Sequence, residues 1–383
     1  MDSMRSEASL PPQGMRRERW VVKIGSSLLV NEGQGLDAGR ISDWVDQMSG
    51  LWRQGVEVVL ISSGAVAEGM TRLGWRERPV QLPYLQAAAA VGQMGLMEAY
   101  EKHFKRNGLH AAQILLTHDD FANRRRYLNA RATLRTLSRL HAIPVINEND
   151  TVSTEEICFG DNDILAALVA NMIAAQRLVI LTDQQGLFSE DPRRCDHARL
   201  IPSACVDDAR LTAMAGNAGT LGRGGMASKL RAARLFALSG GITTIACGKT
   251  EGVIERLHRE ERIGTELLPG RQRLTRRKQW LAGQVRTHGA VILRREAMQA
   301  LVSGAARIHA AHVAEIQGSF APGQMIRIQD TERRYDARGL SNFSSNEING
   351  MVRQLASSRP GLEPAEATEL VYRKNIVFDS YYS

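Results

Sequence analysis

Short apolar runs that alternate with longer stretches of helical spacing constrain this chain more than any other feature. Trp20 to Ile24, Val56 to Ile61, Ala112 to Leu116, Ile143 to Ile146, Leu178 to Leu181 and Ile242 to Ala246 are too short for helices. Bounded by Gly, Asn or Asp, they read as buried strands. Between them, Ile41 to Arg53, Leu82 to Arg106, Phe121 to Leu140, Ile164 to Ala175 and Ala227 to Leu238 carry apolar residues at helical intervals. Such alternation predicts an α/β fold, a mostly parallel sheet with helices on both faces. Ligands of these sheets bind beyond the carboxyl ends of the strands. The loops that follow the strands are therefore the candidate sites.

The pattern changes near residue 270. Arg271, Arg273, Arg276, Arg277 and Lys278 form a basic run, after which long helical patterns become few. Val285 to Leu293, Ala305 to Ile316, Gly323 to Ile328 and Tyr335 to Asn342 read as short strands between Gly, Asp and Pro turns, so a separate small, mainly β domain is expected. The expected division is a flexible tail over 1–18, a first domain over 19–265, a linker over 266–275, a second domain over 276–375 and a tail over 376–383. A chain of 383 residues has room for these units.

Composition removes several classes of function. Cys158, Cys195, Cys205 and Cys247 form no CxxC pair and no cluster with histidine, which argues against a zinc site or a disulfide framework and suits a reducing cytoplasm. No apolar run approaches the ~20 residues that a membrane helix needs. The stretch from Met1 to Arg19 is polar and lacks an apolar core, so it does not read as a secretory signal; Met15 is a second candidate start. A net charge of +8 permits an anionic partner such as a nucleotide or RNA without identifying one.

Against that positive balance, Leu140 to Gln176 contains neither lysine nor arginine. Within it, Pro144-Val-Ile-Asn-Glu-Asn-Asp150 and Gly160-Asp-Asn-Asp163 crowd carboxylates and amides together. Self-repulsion makes such a run costly unless a cation or water meets it. By itself it reads as a solvated loop. The strand-like lead-in at Ile143 and the helix-like exit at Ile164 argue that it is held in place, leaving a metal, an ammonium group or no cation as its occupant.

The other loops suit phosphates. Val21-Val-Lys-Ile-Gly-Ser-Ser27 ends a strand with a lysine, a glycine and hydroxyl residues, an arrangement in which backbone NH groups approach phosphate oxygens beside a point charge. Lys23 alone is a weak sign, since strand-end lysines commonly reach to solvent. Ile61-Ser-Ser-Gly-Ala65 repeats the arrangement, as either an anion-binding helix start or a tight turn. Thr182 and Asp183 end another strand, where they could meet a nucleotide or cap the turn. Gly219 to Lys229 is rich in glycine and opens a helix with Lys229 one turn inside. There is no GxxxxGK[ST] motif. Two lysines and a glycine-rich helix start, beside an acidic and amide-rich pocket, suit phosphoryl transfer, which needs positioning and charge neutralisation more than covalent chemistry. The main loops lack histidine, which favours an acceptor that needs no base: a carboxylate, ionised at neutral pH with a pKa near ~4.3 for a glutamate side chain.

These segments, in this order, resemble the amino acid kinase superfamily and, within it, the glutamate 5-kinase family. The resemblance rests on Val21 to Ser27, Ser62-Ser-Gly-Ala65, Pro144 to Asp150, Gly160 to Asp163, Leu181-Thr-Asp183 and Gly224-Gly-Met-Ala-Ser-Lys229. The Asn-Glu-Asn-Asp and Gly-Asp-Asn-Asp pair is its most specific part. Ala337-Arg-Gly-Leu-Ser-Asn-Phe-Ser-Ser345 resembles the characteristic stretch of a PUA domain. The resemblance implies a three-layer αβα sandwich followed by a small PUA pseudo-barrel. It also implies ATP-dependent phosphorylation of the side-chain carboxylate of L-glutamate, the first step of proline biosynthesis.

Carried over residue by residue, the resemblance gives Lys23 and Lys229 the transferring phosphoryl group and makes Asp163 the carboxylate that holds them in register. Ser63, Asp150 and Asn162 would bind glutamate, with Asp150 or its neighbours meeting the ammonium group. Lys23, Thr182, Asp183, Arg223, Gly224, Gly225, Met226, Ala227, Ser228 and Lys229 would contact ATP. Mg2+ would ride on the nucleotide phosphates, with no metal ligands from the protein. Feedback inhibition by proline, a homo-oligomer (dimer or tetramer) and a glutamyl phosphate reductase as recipient of the product are implied as well. RNA binding by the PUA-like domain has no support beyond the basic run. Two positions depart from the family: Arg223 replaces a small hydroxyl residue, and Gln185 stands where a lysine is common. Arg223 either adds a phosphate contact or points to solvent. His118 is expected on a surface loop, and Cys158 as a small half-buried side chain.

Overall fold

The computed structural model describes residues 17–31, 35–152, 162–215, 225–270, 274–284, 287–305, 307–357 and 368–378. The chain divides between Pro269 and Gly270 into two units. In the first, the strands of the main sheet are β1 (Arg19–Ile24), β2 (Glu57–Ile61), β3 (His110–Leu116), β4 (Ala142–Glu148), β5 (Arg177–Thr182), β6 (Ser203–Cys205), β7 (Ile242–Cys247) and β8 (Thr265–Leu268). Among the described residues these eight form one sheet in the order β3-β4-β2-β1-β5-β7-β8-β6. From β3 to β7 every pairing is parallel; β8 runs antiparallel to β7 and parallel to β6.

Helices cover both faces. They include α1 (Ala38–Arg53), α2 (Ala65–Arg72), α3 (Leu82–Arg106), α4 (His118–Ala122), α5 (Arg124–Leu137), α6 (Asn162–Ile173), α7 (Met226–Ala237) and α8 (Val253–His258). On one face α1 packs against α3 and α8, while α6 packs against α5, α7 and the sheet. The pleat divides β1 between two environments. Trp20, Val22 and Ile24 join Trp44, Met48, Leu96, Tyr100 and Phe104 in a core of fully enclosed side chains. Val21 and Lys23 alternate with these residues and are also buried. Lysine is rarely buried without a partner, so the position of Lys23 already demands a counter-charge.

The sequence-based strands match the sheet, but some elements differ. Phe121 to Leu140 is not one helix. Asn123 leaves helical geometry at φ −80°, ψ 115°, and its side chain accepts from the backbone NH groups of Arg125 and Arg126, so one helix ends and another starts there. Consequently His118 is buried within α4 and not on a surface loop. α2, β6 and β8 were not apparent from periodicity, because each is short and α2 contains Gly69. β8 occupies residues that were expected to be linker.

The second unit contains β9 (Gly289–Leu293), β10 (Val313–Gly318), β11 (Met325–Asp330), β12 (Asp336–Leu340) and β13 (Ile376–Phe378), in the order β10-β9-β11-β12-β13. It has its own core, which includes Val291, Leu293, Ile326, Ile328, Val371 and Ile376. More helix is present than periodicity suggested: α9 (Arg276–Ala282), α10 (Arg295–Ser303) and α11 (Ser345–Ser357). α10 shows why it was overlooked. It fixes itself through Met298 and Leu301 alone, too few buried positions to give a long helical pattern. β13 lies in what was expected to be a terminal tail.

Candidate active site

Parallel pairing brings the carboxyl ends of β1, β2, β4, β5 and β7 to one edge of the sheet. The chain tightens there. Gly25 NH donates to the carbonyl of Leu181 (3.1 Å) and Gly248 NH to that of Thr182 (2.9 Å). A β-carbon on Gly25 would stand 3.3 Å from the Leu181 carbonyl oxygen. Gly64, at φ 92°, makes the left-handed turn between β2 and α2.

Three charges meet at this edge. Lys23 Nζ lies 2.6 Å from one oxygen of Asp163, and Lys229 Nζ lies 2.9 Å from the other. Asp163 is fully buried, with each lysine only 5% exposed. Burial would push the Asp163 carboxyl up, but the positive charges and hydrogen bonds of Lys23 and Lys229 outweigh it and hold the group below its ordinary value. With all three groups ionised the cluster retains one net positive charge. Lys229 sits in the first turn of α7, where the helix dipole disfavours a cation. Asp163 offsets that placement, and an incoming phosphate would offset it further.

α7 opens at Gly225, which has no side chain to cap the helix. Beside Lys229, Ser228 is buried, and its hydroxyl has no hydrogen-bond partner among the described residues. Thr182 is buried at the end of β5, where its hydroxyl donates to the carboxylate of exposed Asp183 (3.1 Å). Gln185 is exposed. Met226 and Ala227 are half-buried at the helix start. Arg223, Gly224, Cys158 and residues 153–161 lie outside the described residues.

A second cluster consists of amides and hydroxyls. Asn162 Nδ2 lies 2.9 Å from the Ser62 carbonyl, from Ser63 Oγ and from Asn147 Oδ1. Asn147 in turn donates from Nδ2 to Gln93 Oε1 (2.9 Å). Ser62 Oγ lies 3.0 Å from Tyr100 Oη. Burial pushes the Tyr100 phenol up, which keeps it neutral. Ser63 and Asn162, expected to share a ligand, are thus in direct contact. Asp150 lies just past β4 and lines a cavity of about 690 Å3 with Gln93, Glu148 and Asn149. Asn162 and Asp163 are adjacent in α6, so one helix start serves both clusters.

Gln93 and Tyr100 were not singled out as site residues, whereas Asn147 belongs to the Asn147 to Asp150 stretch expected to face the amino acid. Gln93 and Tyr100 had a signal: Ala89, Gln93, Leu96 and Tyr100 fall on one helical stripe, where Gln93 is the polar exception. Among the described residues, no group of three or more His, Cys, Asp or Glu side chains could hold a metal ion. Nor is any described helix long and apolar enough to cross a membrane.

Comparison with known proteins shows the family of the chain. Residues 18–247 match the model of the amino acid kinase family, and residues 289–358 match the PUA domain. The chain is 52% identical over 363 residues to the glutamate 5-kinase of Chromohalobacter salexigens, covering 94% of this chain and 96% of that protein. It is 53% identical over 362 residues to the glutamate 5-kinase of Pseudomonas fluorescens, covering 94% and 97%. Among solved structures, the UMP kinase of Bacillus anthracis is similar with a TM-score of 0.47 and 14% identity, over 66% of this chain and 97% of that one.

Proposed function

The chain belongs to the amino acid kinase family, grouping there with the glutamate 5-kinases, and we propose that it transfers the γ-phosphoryl group of ATP to the side-chain carboxylate of L-glutamate. The product is L-glutamyl 5-phosphate, the first intermediate of proline biosynthesis. The observation that carries this reading is the Lys23–Asp163–Lys229 cluster, buried at the carboxyl edge of the sheet between the amide cluster and the start of α7.

The chemistry follows from charge. A glutamate carboxylate oxygen attacks the γ-phosphorus while the bond from that phosphorus to the bridging oxygen breaks, and ADP departs with the electron pair. The acceptor is already ionised near pH 7, so no base has to remove a proton. What opposes the reaction is the approach of two anions. Lys23 and Lys229 offset that repulsion as charge spreads over the transferring group. Asp163 keeps both ammonium groups at one point and stays ionised itself. Thr182, Asp183 and Gly225 to Lys229 are assigned to the nucleotide, with Arg223 and Gly224 assigned on the resemblance alone.

Ser63 and Asn162 are assigned to glutamate, and Asp150 to its ammonium group. Both Asp163 oxygens already meet lysines, so the donor set suits Mg2+ that arrives on the nucleotide as MgATP. Free thiols at Cys195, Cys205 and Cys247 accord with a reducing cytoplasm. Inhibition by proline, a homo-oligomeric state and transfer of the acyl phosphate to a reductase belong to the same proposal.

The test is direct. Purified protein with MgATP and glutamate should form an acyl phosphate that hydroxylamine traps as a hydroxamate. Trapping with acetylglutamate or aspartate but not with glutamate would refute the substrate assignment and leave the reaction class standing.

A further inference from the structure

The amide cluster has an orientation that can be deduced atom by atom. The backbone NH of Glu148 is a donor only, and it lies 2.9 Å from Asn147 Oδ1. That contact fixes which end of the Asn147 amide is oxygen. Its Nδ2 therefore faces Gln93, 2.9 Å away, and the atom of Gln93 that receives it must be Oε1. With Oε1 so committed, Gln93 Nε2 turns away from Asn147. It is buried, has no hydrogen-bond partner among the described residues, and belongs to a side chain that lines the cavity containing Asp150. Gln93 is 7% exposed and Asn147 3%, so water competes poorly for either amide.

We propose that Gln93 is a positioning residue for the amino-acid site, acting through Asn147 and Asn162. The inference rests on glutamate occupying that site. Were Gln93 Oε1 absent, Asn147 Nδ2 would be a buried donor without a partner, and the amide would gain by rotating toward another acceptor. Rotation takes Oδ1 away from Asn162 Nδ2, which then loses one of the contacts that aim it between Ser62 and Ser63. The hydrogen bond of Gln93 runs to Asn147 and not to the Lys23–Asp163–Lys229 cluster, so its influence falls on substrate binding and not on phosphoryl transfer.

Gln93→Met removes both polar ends at similar volume. In the full-length protein its KM for glutamate should rise roughly tenfold, the scale of one buried donor left unpaired. The KM for ATP and kcat should stay near wild type. Gln93→Glu retains an oxygen for Asn147 while replacing the donor end, and should keep most of the wild-type affinity for glutamate. Thermal melting of each variant separates a folding defect from a positioning defect. An unchanged glutamate KM in Gln93→Met, or an equal rise in the KM for ATP, would overturn the inference. Equal losses in the two variants would overturn the inference as stated. A wild-type protein that turns over ATP without accepting glutamate would overturn the substrate reading, and this inference with it.

Discussion

Asp163 has no access to solvent and faces two lysines on opposite sides, one from β1 and one from α7. Asp163→Asn would leave two buried ammonium groups facing each other without compensation, at a cost on the order of 3–5 kcal/mol. The turnover number should also fall, by roughly 10²-fold or more, because the lysines are no longer held at one point. The acid dependence has a defined sign. The folded-state carboxyl titrates below its ordinary 3.8. Its contribution is therefore complete above that value and disappears as pH falls through the lower, folded value. The melting-temperature gap between wild type and Asp163→Asn should stay level between about pH 5 and 8 and narrow below about pH 4. A gap that instead changed around neutrality would point to another titrating group.

At the scale of elements, the close approach of α2 to α3 sets the position of the segment proposed to hold glutamate. A β-carbon on Gly92 would lie 1.9 Å from the Ala65 carbonyl oxygen, and one on Gly69 would lie 1.7 Å from that of Ala88. Both obstacles are backbone, so neither can swing aside. Gly92→Ala must separate the helices, at about 1–3 kcal/mol or more. Because α2 begins directly after Ser63 and Gly64, the same variant should raise the KM for glutamate. Calorimetry and steady-state kinetics read the two effects separately, and a normal melt with normal KM would refute this account. The strands were legible because β1, β2, β4 and β5 are apolar on both faces and end at Gly, Asn or Asp. Lys23 and Lys229 stood out beside a strand end and a helix start, whereas the role expected of Asp163 came from the resemblance alone. Gln93 depends on tertiary pairing with Asn147, and the sequence offered only a polar exception in a buried stripe. Asn123 was hidden for a local reason: its cap competes with continuing the helix, and periodicity cannot weigh the two.

Across the whole molecule, every residue assigned to catalysis or substrate lies before Pro269, where the first unit ends. That unit encloses its own core around Trp20, Trp44 and Phe104, and the second encloses another around Val291 and Ile326. A protein ending at Pro269 should fold cooperatively and retain a hydroxamate-forming rate close to that of the full chain. Loss of activity in a well-folded truncated protein would show that the second unit takes part in turnover.

The pairing of Asp163 with lysines from distant parts of the sequence also bears on how the protein comes into being. Lys23 and Asp163 leave the ribosome before Lys229, which follows Asp163 by 66 positions. Until α7 is synthesised and docked, the emerging chain holds half of its charge cluster and lacks the start of α7 assigned to the nucleotide. With the roles proposed for these residues, a partly made chain should not consume ATP, and the enzyme should stay silent through most of the translation of its first unit.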